Sequence, residues 1–299
     1  MPVPATGPIG VMLTAMATPF CADGSLDVPG VQRLAVHLVD TLGNDGLVVN
    51  GTTGESPTTT DEEKATIVRA VKEAVGDRAR LIAGVGTYDT AHSVHLAREA
   101  AAAGADGLLV VSPYYSRPPQ EGLIHHFRTV ADATELPVIT YDIPKRTGVA
   151  IEVETLVRLA EHPRIVANKD AKGDLEAAQW AMARCDLAWY SGDDILNLPL
   201  LAVGANGFIS VVGHVVADRI RAMAEAFHSA DVCAAIAINR GLLPVYTGMF
   251  RTQGVILTKA ALRLQGLPAG PVRSPLVDAT ADQVGKLERD LREGGVDLS

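Results

Sequence analysis

Short runs that are apolar almost throughout alternate along this chain with longer segments whose apolar residues recur every three or four positions. The runs are VMLTAM (11–16), GLVVN (46–50), RLIAGV (80–85), GLLVVS (107–112), PVITYD (137–142), RIVANK (164–169), LAWYSG (187–192) and GFISVV (207–212). Their β-branched and leucine-rich content predicts strands. Strands that lack a polar face belong to a sheet covered on both sides, the usual setting of parallel pairing. Between them VQRLAVHLVDTL, DEEKATIVRAVKEAVG and AHSVHLAREAAAAG predict amphipathic helices, the last stopped by Gly104. The repeat length of about thirty residues is that of a β-α unit. Eight such units predict a (β/α)8 TIM barrel, with a doubly wound open sheet as the alternative.

After Val212 the pattern becomes helical only, through ADRIRAMAEAFHSA, DVCAAIAINRGLLPVYTGMF, VILTKAALRLQG and ADQVGKLERDLREGG. The expected organisation is a catalytic barrel over 1–228 and a C-terminal helical region over 229–299, packed on the barrel as an appendage with no activity of its own.

Composition adds mainly exclusions. With 35 acidic against 26 basic residues, a net charge of −9 and no Lys/Arg-rich run, the chain has no footprint for nucleic acid. No eighteen apolar residues run uninterrupted and the start has no basic leader pattern, so the expected setting is cytoplasmic, without a membrane partner. Cys21, Cys185 and Cys233 are far apart and odd in number, which fits reduced thiols in a core.

A barrel gathers the segments after its strands at one mouth. Here they are TPF, GTTGES, GTYD, SPYYSRP, YDIPKRTG, KDAKGD, SGDD and VGH, and they hold nearly all the unusual polar clusters. Of seven lysines only Lys169 falls at a strand's carboxyl end. Barrel walls that exclude water disfavour an ammonium, which would make Lys169 a nucleophilic amine for a Schiff base; pairing with Asp170 is the plainer alternative. Tyr141, one strand earlier, is a candidate proton carrier or a core phenol. The Gly-framed turn GTTGES (51–56) can aim N–H groups and two hydroxyls at a carboxylate, or bind nothing. Arg146, beyond the stiff Pro144, can grip a carboxylate at two points or stand as a surface charge. An amine, phenols, hydroxyls and an arginine together suit a keto acid condensing with a second acid.

In order and spacing, GTTGESPTTT, SPYYSRPPQEG, YDIPKRTG, KDAKGD, SGDD and GFISV resemble the dihydrodipicolinate synthase family of pyruvate-dependent class I aldolases, from about Gly10 to about Gly270. The resemblance implies condensation of pyruvate with aspartate semialdehyde on the diaminopimelate route to lysine, by a homotetramer of paired dimers that needs no cofactor. It assigns imine formation to Lys169 and a proton relay to Tyr141, Thr52 and Tyr115, the last reaching in from a neighbouring subunit. Thr52 and Thr53 would hold the pyruvate carboxylate and Arg146 that of the semialdehyde, while Gly192 and Ile209 line the pocket. Asn168 and Lys145 depart from the family pattern and are expected to bear on the second-substrate pocket. The family's lysine-inhibition cleft, beside Tyr114, maps here to Pro57, Asp61, Lys64, Tyr88 and His92. His92 replaces a glutamate there, so weak inhibition is expected.

Relatives on this scaffold cleave N-acetylneuraminate or 2-keto-3-deoxy sugar acids through the same lysine, and Arg146 separates this chain from them. A metal-dependent aldolase would need ligands such as His92 and His95 or His125 and His126, but no third ligand accompanies either pair. A non-catalytic keto-acid sensor would have no use for the complete set of Lys169, Tyr141, Thr52, Tyr115 and Arg146.

Overall fold

A computed structural model describes residues 7–298, so residues 1–6 and Ser299 of the two expected regions lie outside the described residues. Parallel strands close into a barrel in chain order, β1 (Met12–Ala15), β2 (Gly46–Val49), β3 (Arg80–Gly84), β4 (Gly107–Val111), β5 (Val138–Asp142), β6 (Ile165–Asp170), β7 (Ala188–Ser191) and β8 (Gly207–Ser210), with β8 pairing back to β1. The open-sheet alternative is thereby excluded. All but a few strand residues are buried, which is why the runs carry no polar alternation.

The helices on the outside are α1 (Val28–Val36), α2 (Asp61–Val75), α3 (Thr90–Ala102), α4 (Gln120–Ala131), α5 (Pro144–Thr147), α6 (Val153–Ala160), α7 (Leu175–Met182), α8 (Asn197–Ala202) and α9 (Gly213–His228). They are followed by α10 (Val232–Met249), α11 (Gly254–Leu264) and α12 (Ala281–Glu293). Their ends follow local chemistry: Thr60 and Glu63 close a capping box on α2, and Thr280 and Gln283 do the same on α12.

Strand side chains divide between two apolar layers. Leu13, Val48, Ile82, Leu109, Ile139 and Ile209 fill the barrel, and Leu47, Leu81, Val110, Val138 and Trp189 pack against the helices. Each such side chain contributes about 1.5–3 kcal/mol by leaving water. One irregularity interrupts the alternation. Val138 pairs with Ile165 but Ile139 pairs with Ala167, so Val166 is an extra residue bulged out of β6.

Helix α10 is 18 residues long and apolar enough to cross a membrane by length and composition alone. Leu242, Val245, Tyr246 and Met249 turn that apolarity into a shared core with Ile220 and Met223 of α9 and with Leu287 and Leu291 of α12. The region after α9 is thus tied to the barrel by its own hydrophobic cluster. The cysteines are not core residues as expected: Cys21 and Cys233 are exposed and Cys185 is half-buried.

Candidate active site

The carboxyl ends of the strands surround two adjoining cavities of about 510 and 370 Å3. They share Gly51, Thr52, Leu109, Tyr141, Ile143 and Arg146 as a common wall. The inner cavity adds Lys169, Thr53, Gly192, Lys145 and Asp193, and the outer one adds Tyr114 and Tyr115.

Lys169 is 4 % exposed and points into the inner cavity, its Nζ 4.3 Å from the centroid of the Tyr141 ring. Among the described residues it forms no ion pair with a carboxylate. Asp170, the expected alternative partner, faces the helices instead. Its carboxylate accepts the Trp189 indole N–H at 3.1 Å and the Lys172 backbone N–H at 2.8 Å, and the neighbouring Asp142 lies 3.5 Å from Lys172 Nζ. Burial pulls the Lys169 pKa down to about 8; the charge of Asp194 works against that shift and the charge of Arg146 adds to it. At pH 7 about a tenth of the amine is therefore neutral, against roughly 0.03 % for an ordinary lysine.

Register makes the neighbourhood. Tyr141, Lys169 and Tyr190 stand abreast on β5, β6 and β7. Burial raises the Tyr141 pKa to about 12, against the pull of Arg146 and of a side-chain hydrogen bond with Thr52, so the phenol keeps its proton and is a donor. Behind the amine, a Cβ on Gly192 would stand 2.8 Å from Lys169 Cε, so only glycine leaves room for the lysine stem.

Asp194 is buried beneath the mouth. Its carboxylate accepts hydrogen bonds from Ser210 Oγ, the Val211 and Val212 N–H groups at 2.9 and 3.1 Å, and Asn197 Nδ2 at 3.1 Å. Burial pushes its pKa up, while these donors favour the charged form. Its charge acts on Lys169 through space, in the direction that favours the ammonium. His214, from the VGH segment, serves structure: Nε2 accepts the Ala17 N–H at 3.0 Å and Nδ1 donates to the Val211 carbonyl, and burial lowers its pKa to about 4.

The turn after β2 has left-handed backbone at both Asn50 (φ 57°) and Glu55 (φ 56°). Such conformations cost energy in residues other than glycine and cluster at functional sites. Tyr115 is left-handed as well (φ 70°) and is 95 % exposed, on the rim of the outer cavity of its own chain. Arg146 is exposed at the wall shared by the two cavities.

Three sequence expectations change. Asn168 does not face the pocket, because alternation along β6 sends it outward, where its Oδ1 accepts the Thr140 hydroxyl at 2.8 Å. Ile209 is wholly buried on the inner face of β8, and Val211 forms the cavity wall in its place. The C-terminal region is more than an appendage, since Phe250, Gln253, Gly254 and Val255 line the inner cavity. Nothing in the helical periodicity of that region marks a segment that folds back over the mouth. Lys145 does line the cavity, and its Nζ is 3.8 Å from Asp193.

One histidine of each pair considered as metal ligands has another partner. His92 Nε2 is 2.9 Å from Asp61 Oδ2, and His126 Nδ1 is 2.9 Å from the Thr90 hydroxyl. Among the described residues no group of three or more His, Cys, Asp or Glu side chains is arranged to hold a metal ion.

Comparison with known proteins agrees with this geometry. A model of the Dihydrodipicolinate synthetase family matches residues 8–294. The chain is 67 % identical over 291 residues to 4-hydroxy-tetrahydrodipicolinate synthase 2 of Streptomyces coelicolor, covering 97 % of each chain. It is 65 % identical to 4-hydroxy-tetrahydrodipicolinate synthase of Acidothermus cellulolyticus, covering 96 % of this chain and 93 % of the relative. Among solved structures, that of the enzyme from Cyanidioschyzon merolae with lysine bound superposes with a TM-score of 0.94 at 40 % identity, covering 96 % of this chain and 98 % of the other.

Proposed function

The chain belongs to the dihydrodipicolinate synthetase family, and from that premise we propose how its cavity condenses pyruvate with aspartate semialdehyde on the diaminopimelate route to lysine. Lys169 is the nucleophile: its neutral amine attacks the keto carbon of pyruvate, and the carbinolamine loses water to give an imine. Loss of a methyl proton makes an enamine, whose carbon bonds to the aldehyde carbon of the semialdehyde while the aldehyde oxygen takes up a proton. The amino group of the second substrate then displaces Lys169 from the imine carbon, closing the ring and freeing the lysine. No cofactor enters these steps.

Tyr141 carries the protons, in relay with Thr52 and the Tyr115 phenol of a neighbouring subunit. A phenol with a pKa of about 12 suits a shuttle that gives and regains a proton and never rests as phenolate. Thr52 and Thr53 hold the pyruvate carboxylate on the turn after β2. Arg146 takes the carboxylate of the semialdehyde, with Gly192 leaving space for the lysine stem and Val211 walling the cavity.

The observation that carries this reading is an unpaired, buried amine with a lowered pKa beside a phenol. Borohydride added with pyruvate should fix a three-carbon adduct on Lys169 and abolish activity, and chelator should not. An adduct on any other lysine, or activity lost to EDTA, refutes it.

A homotetramer of paired dimers and a cytoplasmic location belong to the same proposal. The exposed, left-handed Tyr115 supports the first, and thiols without disulfides support the second. Feedback by lysine is weak in this reading, because Asp61 is already engaged by His92 and the buried Lys64 adds a cation to the cleft.

A further inference from the structure

The turn that presents Thr52 and Thr53 is held from behind by the C-terminal region. Glu55, the left-handed residue at its end, is 3 % exposed, and Lys259 of α11 is wholly buried. Lys259 Nζ stands 2.6 Å from Glu55 Oε1, in an ion pair off the angle of a well-aligned hydrogen bond, and donates to the Pro271 carbonyl at 2.7 Å. The other carboxylate oxygen, Oε2, accepts the Arg273 backbone N–H at 2.8 Å. The Arg273 side chain continues outward to the Thr58 carbonyl, the Gly24 carbonyl and Glu63, and both cations stack on the ring of Phe20, at 4.2 and 4.0 Å.

Neither Glu55 nor Lys259 lines either cavity. A buried ion pair is a poor source of stability, since desolvation consumes most of its attraction, but it fixes one geometry. What it fixes here is the end of the turn two residues beyond Thr53, in a backbone conformation that glutamate does not favour by itself.

We infer that Glu55 and Lys259 are a positioning pair. Their contact sets the Thr52–Thr53 turn for the first substrate's carboxylate, and so makes the C-terminal region part of the first half-reaction. This rests on reading that turn as the pyruvate grip.

The test uses the full-length protein with two variants. The double substitution Glu55→Gln with Lys259→Met removes both charges at near-constant volume and keeps an acceptor for the Arg273 N–H. Glu55→Asp keeps both charges and shortens the reach. Each folded variant should raise the KM for pyruvate by about tenfold or more and slow borohydride trapping in step. The KM for the aldehyde should stay within about twofold of the parent, a split that general loss of structure would not give. A folded variant with an unchanged pyruvate KM overturns the inference. So does failure of both variants to fold, because the pair would then be a determinant of folding and not of the site. Failure of the unsubstituted chain to trap pyruvate would sink the assigned chemistry instead.

Discussion

Replacing Lys169 by methionine should cost all imine chemistry and make the protein more stable, by an amount tied to the same number that makes the lysine reactive. Burial moves its pKa from the ordinary 10.5 to about 8. At pH 7 the neutral fraction rises from roughly 0.03 % to roughly 9 %, about 300-fold. The folded-state value lies below the unfolded one, so protonating this lysine costs more in the folded chain. The penalty, about 3 kcal/mol at one pKa unit per 1.36 kcal/mol, is fully present below about pH 8 and fades as pH rises toward 10.5. Denaturant unfolding at fixed protein concentration should show Lys169→Met more stable by up to that amount at pH 7, with the gap falling by about half at pH 9.5. In the parent, competitive acetylation of Lys169 against an internal amine standard, read by peptide mass, should climb about ninefold from pH 6 to 7 and under twofold from pH 8 to 9. Labelling that still rises about tenfold per unit at pH 9, or a methionine variant no more stable at pH 7, would refute the argument.

Arg146→Ala should leave pyruvate trapping nearly intact while losing one charged grip on the aldehyde acid, about 1.5–3 kcal/mol or roughly 10- to 150-fold in kcat/KM for that substrate; the pH midpoint of trapping should move up, since Arg146 helps to lower the Lys169 pKa. Loss of trapping itself would contradict this. Tyr115→Phe should depress turnover, and mixed oligomers of Tyr115→Phe and Lys169→Ala chains should regain activity if the phenol crosses an interface; verified mixed oligomers without rescue would count against a shared site. Millimolar lysine should inhibit weakly or not at all, because one charge-assisted bond of about 1.5–3 kcal/mol is missing; cooperative inhibition below a millimolar, with lysine beside Tyr114, would show the reading of the cleft to be wrong.

The barrel was legible because strands buried on both faces leave continuous apolar runs, and observed strand ends fall within a residue or two of those runs. Lys169, Thr52 and Arg146 were legible because each lies just where a barrel exposes its strand tips. Other features had no local signature. Phe250 and Gln253 reach the mouth through tertiary packing of α10 and α11, which helical periodicity does not encode. The partner of His92 sits 31 residues away on another helix. Parity misleads at β6: Ile165 faces the helices, and strict alternation from it would turn Lys169 the same way.

The bulge at Val166 supplies the missing half-step. It divides β6 into two stretches with different tolerance for change in length. Loss of Val166 would join Ile165 directly to Ala167 in regular pairing, and Ala167, Asn168 and Lys169 would keep the faces they have now. Loss or gain of one residue between Ala167 and Lys169 would exchange the amine for its neighbour and point a carboxylate or an amide at the substrate. A deletion at the bulge, three residues from the nucleophile, is therefore silent, while one two residues further along abolishes the chemistry without altering any catalytic side chain.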